Sequence, residues 1–129
     1  MNIFKWFKSL KTDKKNSIRV LVTPYVDPKM KELTKKRWYI KNGAKVGHLN
    51  LIVLRAGAAE PLEIIYENDL YKPFHPAFDL TVVGFSDDKD GAFELVRQIY
   101  QDMYDEMGRA MDVVAFFSRF EEYEPSGGV

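Results

Sequence analysis

The sequence predicts an α+β domain: a mostly antiparallel sheet of about five or six strands, one long helix over residues 87–107 packed on one face, and a short N-terminal helix. Two observations carry this expectation. Short stretches rich in β-branched and aromatic residues alternate apolar with polar positions between turn residues. One segment near the C-terminus instead keeps a single apolar stripe at helical spacing over about five turns.

Residues 1–12 (MNIFKWFKSLKT) read as a short amphipathic helix, with Ile3, Trp6, Phe7 and Leu10 on one side and Lys5, Lys8 and Ser9 on the other. A polar break follows, so residues 1–16 are set apart from a domain spanning 17–120. The acidic, glycine-rich residues 121–129 read as a flexible tail. Residues 17–26 form the first strand, with Ile18, Val20 and Val22 alternating with Arg19, Leu21 and Thr23. Asp27-Pro28 then reads as a cap followed by proline in the first helical position, opening a short helix or turn to about residue 36.

Residues 37–54 read as a hairpin about Asn42-Gly43, because both residues tolerate the positive φ of a type I′ turn. A competing pattern runs a helix from 28 to 42, with Met30, Leu33, Arg37 and Ile40 on one face and Gly43 just past its end. The Trp38-Tyr39-Ile40 run favours the strand. Residues 55–61 form a loop, 62–67 a strand, 68–76 an irregular connection with two prolines and 77–85 another strand. The long helix is capped by Ser86 or Asp87 and carries Asp87, Asp88 and Asp90 at its start, where the helix dipole favours anions. Its stripe is Ala92, Phe93, Val96, Ile99, Tyr100, Met103 and Met107, and Gly108 stops it. Residues 112–117 (DVVAFF) read as a last, doubly covered strand, which the helix would link to 77–85 by a right-handed crossover.

A chain of 129 residues with 46% hydrophobic and 29% charged residues is one ordinary globular domain. The absence of cysteine removes disulfides, thiolate metal sites and cysteine nucleophiles. No apolar run approaches the length needed to span a bilayer and no secretory pattern is visible, so a cytoplasmic location is expected. The zero net charge conceals an asymmetry. Residues 1–45 hold 13 Lys/Arg against 3 Asp/Glu, and the remaining 84 hold 6 against 16. Such segregation points towards a partner, unless the two halves neutralise each other in the fold.

Motifs of chemistry are missing. There is no G-x-S-x-G elbow, phosphate loop or dinucleotide fingerprint. His48 and His75 have no second ligand at metal spacing. Residues 86–91 resemble half a calcium loop, but Arg97 falls where the bidentate glutamate belongs. No catalytic residue, metal or cofactor is therefore assigned, and no enzyme is expected. The candidate binding residues are Lys35, Lys36, Arg37, Trp38 and Tyr39, where cations and aromatics interleave as in a single-strand nucleic-acid platform or a lysine-protected edge strand. A second candidate is the proline-bounded loop with Tyr71 and His75, beside Asp79.

The reading these observations favour is a non-enzymatic interaction or accessory protein that self-associates, using the amphipathic residues 1–12. The alternatives are a nucleic-acid or anionic-surface binder using residues 29–45, and a small-ligand or catalytic domain with a pocket near His75. Weak contact of residues 1–12 with a membrane surface is compatible with their pattern.

Overall fold

The computed structural model describes residues 18–43, 47–55, 57–70 and 80–125. They form β1 (Arg19–Val20), α1 (Leu33–Lys41), β2 (Asn50–Leu54), β3 (Leu62–Tyr66), α2 (Glu67–Leu70), β4 (Thr81–Ser86), α3 (Lys89–Met107) and α4 (Val113–Phe117). The strands lie in one sheet of order β1-β4-β2-β3. β2 runs antiparallel to β3 and β4, and β1 runs parallel to β4. The mixed α+β class, the largely antiparallel sheet and the long helix are as the sequence predicts. The described residues hold four strands, fewer than the five or six expected. The N-terminal helix expected over residues 1–12 lies outside the described residues.

Period-two alternation sends apolar side chains to both faces of the sheet. Val20, Leu51, Val53, Ile65, Val82 and Phe85 face Ile40, Met30 and Leu33, on and just before α1. Leu21, Ile52, Leu62 and Val83 face the opposite way, against Ile99 and Met103 of α3 and Phe116 and Phe117 of α4. The sheet is thus sandwiched, with α1 on one side and α3 and α4 on the other. A bulge assists this sorting. Ile52 pairs with Gly84 and Val53 with Val82, so Val83 is the extra residue. Gly84 is needed here, because a Cβ would lie 2.4 Å from the carbonyl oxygen of Tyr25. The segment after β1 therefore runs hard against β4, tied by hydrogen bonds from Phe85 N–H to Tyr25 and from Asp27 N–H to Phe85, both 3.2 Å.

The outer side of β1 is paired with residues 121–123. Val22 N–H donates to Glu121 at 2.7 Å and Tyr123 N–H to Val20 at 2.6 Å. Arg19 and Glu122 add an ion pair at 2.6 Å.

Two expected strands are helices. Residues 37–41 belong to α1, and β2 pairs with β3 and β4 instead of with them. Asn42 caps the helix end, and Gly43 takes φ 72° just beyond it. Asn-Gly thus serves as a helix stop, the other use of residues that tolerate positive φ. The second correction is DVVAFF. Asp112 accepts a hydrogen bond from Ala115 N–H and caps α4, whose Phe116 and Phe117 point inward while Val114 stays half exposed. α3 begins two residues later than expected and its cap is Asp88, because Ser86 and its backbone still belong to β4. Gly108, at φ 61°, ends it as predicted. Phe93, expected on the buried stripe, is 55% exposed. Among the described residues no helix is long and apolar enough to cross a membrane.

Candidate functional site

The five basic and aromatic residues singled out in the sequence all fall on α1, where helical spacing separates them. Lys35 and Trp38, three apart, point outward. Lys35 reaches Glu32 at 4.0 Å and lies 6.0 Å from the centre of the Tyr39 ring. Trp38 is 45% exposed and meets Tyr39 edge-on, with ring centres 5.4 Å apart. Lys36 is half-buried and donates back to the carbonyl of Lys31. Arg37 alone of the five turns into the protein, beside Ile40. Its burial depresses the guanidinium's affinity for its proton, with Tyr123 acting weakly in the other direction. The outward face of α1 is therefore a lysine-rich surface centred on one indole. The remaining candidates, Tyr71, His75 and Asp79, lie outside the described residues.

The opposite layer carries the other sign. α3 exposes Asp90, Glu94 and Asp105, with Asp87 and Asp88 ahead of it. Glu94 is chelated by Arg97, which holds the carboxyl below its usual range, and Gln101 Nε2 donates to Asp105 at 2.9 Å. Phe93 and Tyr104, 55% and 56% exposed, stand on this acidic layer.

Sequence reasoning missed the inner member of the acidic corner at the start of α3. Asp27, Asp87 and Asp88 present carboxylate oxygens within 4.8 Å of one another. Asp27 is buried, accepts from Lys29 N–H at 2.9 Å and from Ser86 Oγ at 3.2 Å, and is held below the usual carboxylate range mainly by that Lys29 bond. Asp88 accepts from Gly91 N–H as the helix cap, and Lys29 Nζ stands 3.9 Å from it. The inner oxygens are thus committed to stapling the β1–α1 connection to the start of α3. These three residues are the ones a cation would use, and an acidic helix start explains them without one.

Glu67 is the second residue missed. It is fully buried, and its Oε1 accepts from Gly47 N–H at 2.6 Å and Leu49 N–H at 3.3 Å. The sequence LEIIYE gives no sign that its last glutamate turns inward. His48, between those donors, has φ 62° and places Nδ1 3.1 Å from the Tyr66 hydroxyl. Among the described residues no histidine joins a metal-ligand cluster.

Searches against family profiles, curated proteins and solved structures found nothing that matches this chain.

Proposed function

We propose that this chain is a non-enzymatic interaction protein that associates with copies of itself, the α1 face of one molecule meeting the α3 face of the next. The observation that supports this reading is the sorting of charge into opposite layers. Residues 31–43 carry five Lys/Arg against one acid, and residues 89–107 carry five acids against two Lys/Arg. The sheet lies between them, so the two surfaces face away from each other and towards solvent. Each also exposes aromatic rings: Trp38 on one, Phe93 and Tyr104 on the other. Exposed aromatics are typical interface anchors, and complementary charge steers the encounter. Two different patches meeting head to tail build rings or open chains. This arrangement moves the weight of the self-association reading from residues 1–12 to α1 and α3.

Static light scattering over the micromolar range tests it. The intact chain should exceed monomer mass at low salt and fall towards it as salt rises, and Lys31→Glu with Lys35→Glu should be monomeric throughout. A monomer mass for the intact chain at low salt removes the proposal.

The same layering favours one second reading. The acidic layer is on the far side of the sheet, so it does not oppose a polyanion approaching α1. A monomeric chain that retains single-stranded DNA, with a log–log salt slope of about −0.7 per phosphate contact, would support this alternative.

A further inference from the structure

The placement of the two charged faces constrains how copies of the chain can join. Ile40 of α1 packs on the side of the sheet lined by Leu51, Val53 and Val82, whereas Ile99 and Met103 of α3 pack on the side lined by Ile52 and Val83. The exposed side chains of each helix therefore point away from the other helix. Lys35 and Trp38 leave the molecule on one side, and Asp90, Glu94 and Tyr104 leave it on the other. In a two-fold dimer built on either face, that face would meet its own copy. Lysines would oppose lysines, or carboxylates carboxylates, and like charges juxtaposed across an interface are disfavoured. Of the three pairings, α1 on α3 is the one that brings opposite charges together. A head-to-tail chain closes into a ring when the two faces of each member converge, at about 60° in a trimer and about 120° in a hexamer. Faces on opposite sides of a sheet do not converge.

We propose that the chain polymerises as an open, unbranched stack, each copy laying its α1 face on the α3 face of the next without closing. Such a stack rests on the α1–α3 association proposed above and adds to it the absence of closure. Each molecule contributes a defined rise. α1 and α3 each pack about 10 Å from the sheet, and the helices of adjoining copies meet at about 10 Å, so the repeat is about 30 Å. The two ends of a stack always keep one α1 face and one α3 face unsatisfied, so growth has no preferred length. Salt that screens the contact shortens the stack.

The test is static light scattering of the full chain at low salt across a dilution series, with small-angle X-ray scattering of the most concentrated sample. The mean mass should climb as roughly the square root of concentration with no plateau, and the X-ray scattering should be that of a rod holding one chain per about 30 Å of length. Lys31→Glu with Lys35→Glu keeps its α3 face and loses its α1 face, so it can join a stack at one end only. Added in small amounts to the wild type, it should lower the mean mass by more than dilution with an inert monomer would. A mean mass that levels off at a fixed multiple of the monomer would overturn the open stack and leave the α1–α3 association standing. A monomer mass at every concentration would overturn both. A wild-type mass that the double variant does not reduce beyond dilution would do the same, since growth would then not pass through the α1 face. If the double variant does not fold, the wild-type dilution series decides alone.

Discussion

Replacing Gly91 with alanine sets two effects of opposite sign against each other. Alanine is favoured over glycine by about 1 kcal/mol in a helix interior, and Gly91 sits in the first turn of α3. On propensity alone the substitution stabilises. The structure predicts the reverse. A Cβ at position 91 would lie 2.4 Å from Ser86 Oγ, 2.9 Å from Asp88 Oδ1 and 3.4 Å from Asp27 Oδ2. Relief requires the fully buried Ser86 hydroxyl to turn away, which breaks its bond to Asp27 at 3.2 Å and the one it accepts from Asp88 N–H at 3.3 Å. Leaving a buried polar group unpaired costs roughly 1–3 kcal/mol, and disturbing the Asp88 cap costs about 1 kcal/mol more. The sum exceeds the gain in propensity, so Gly91→Ala should lower stability by about 1–3 kcal/mol. Urea denaturation followed by circular dichroism measures this. Repeating the change in a Ser86→Ala background identifies the cause. With the nearest obstacle gone, the cost of Gly91→Ala should shrink by about 1 kcal/mol or more, a coupling expected only between touching groups. Stabilisation in the wild type, or equal cost in both backgrounds, would refute the steric account.

Two further substitutions probe the same architecture. Asp27→Asn should cost about 1 kcal/mol at neutral pH, because a neutral acceptor bonds less strongly than a carboxylate. Asp27 has a lowered folded pKa, so its stabilisation is complete above the ordinary value near pH 4 and is lost as pH falls through the folded value. The two proteins' denaturation midpoints should therefore converge in acid, and a gap that stays constant with pH would exclude the charge as its source. Phe116→Ala should cost about 3–5 kcal/mol, since the ring is 1% exposed and packs against Phe117 and Phe120 with centres 5.1 and 5.9 Å away. Val114→Asp, two residues earlier but 50% exposed, should change stability by no more than about 0.5 kcal/mol. Comparable losses by thermal melting at both positions would fit a doubly buried strand and contradict α4.

What was legible in the sequence followed how many independent signals agreed. α3 has an acidic start, an apolar stripe and a glycine stop, and each points to the same element. Its cap is Asp88 and not the expected Ser86 or Asp87 because all three are good caps, and the length of β4 decides among them. α1 differs from the expected strand because Asn42-Gly43 is one signal with two uses, and the choice depends on whether Ile40 finds a sheet to pack on. The apolar run in DVVAFF hid a helix because five residues are too few for periodicity to show, although Asp112 was a visible cap. The composition of the basic run KKRWY marks it as special, but composition says nothing of direction. Folding it as a helix sends Arg37 inward and leaves Lys35 and Trp38 outside. Asp27 and Glu67 carry no sequence signal, since their interest lies in burial against partners distant in sequence: the Ser86 hydroxyl for Asp27, and the N–H groups of Gly47 and Leu49 for Glu67.

The layered charge has little to do with holding the fold together. Two helical layers packed on opposite faces of a sheet at roughly 10 Å each lie on the order of 20 Å apart. That exceeds the Debye length of about 8 Å at physiological salt, so attraction between the α1 lysines and the α3 carboxylates contributes little to folding. Helix dipoles account for Asp90 at the start of α3 and Lys41 at the end of α1. They do not account for Lys31, which precedes α1, or for Lys35 in its first turn, where a cation is disfavoured. Folding and association should therefore separate experimentally. Lys31→Glu with Lys35→Glu exchanges two exposed cations for anions near the positive end of α1's dipole, and should leave unfolding free energy unchanged or raised by no more than about 1 kcal/mol. The same protein should lose its salt-dependent assembly. Loss of stability and assembly together would instead mean that these lysines serve the fold.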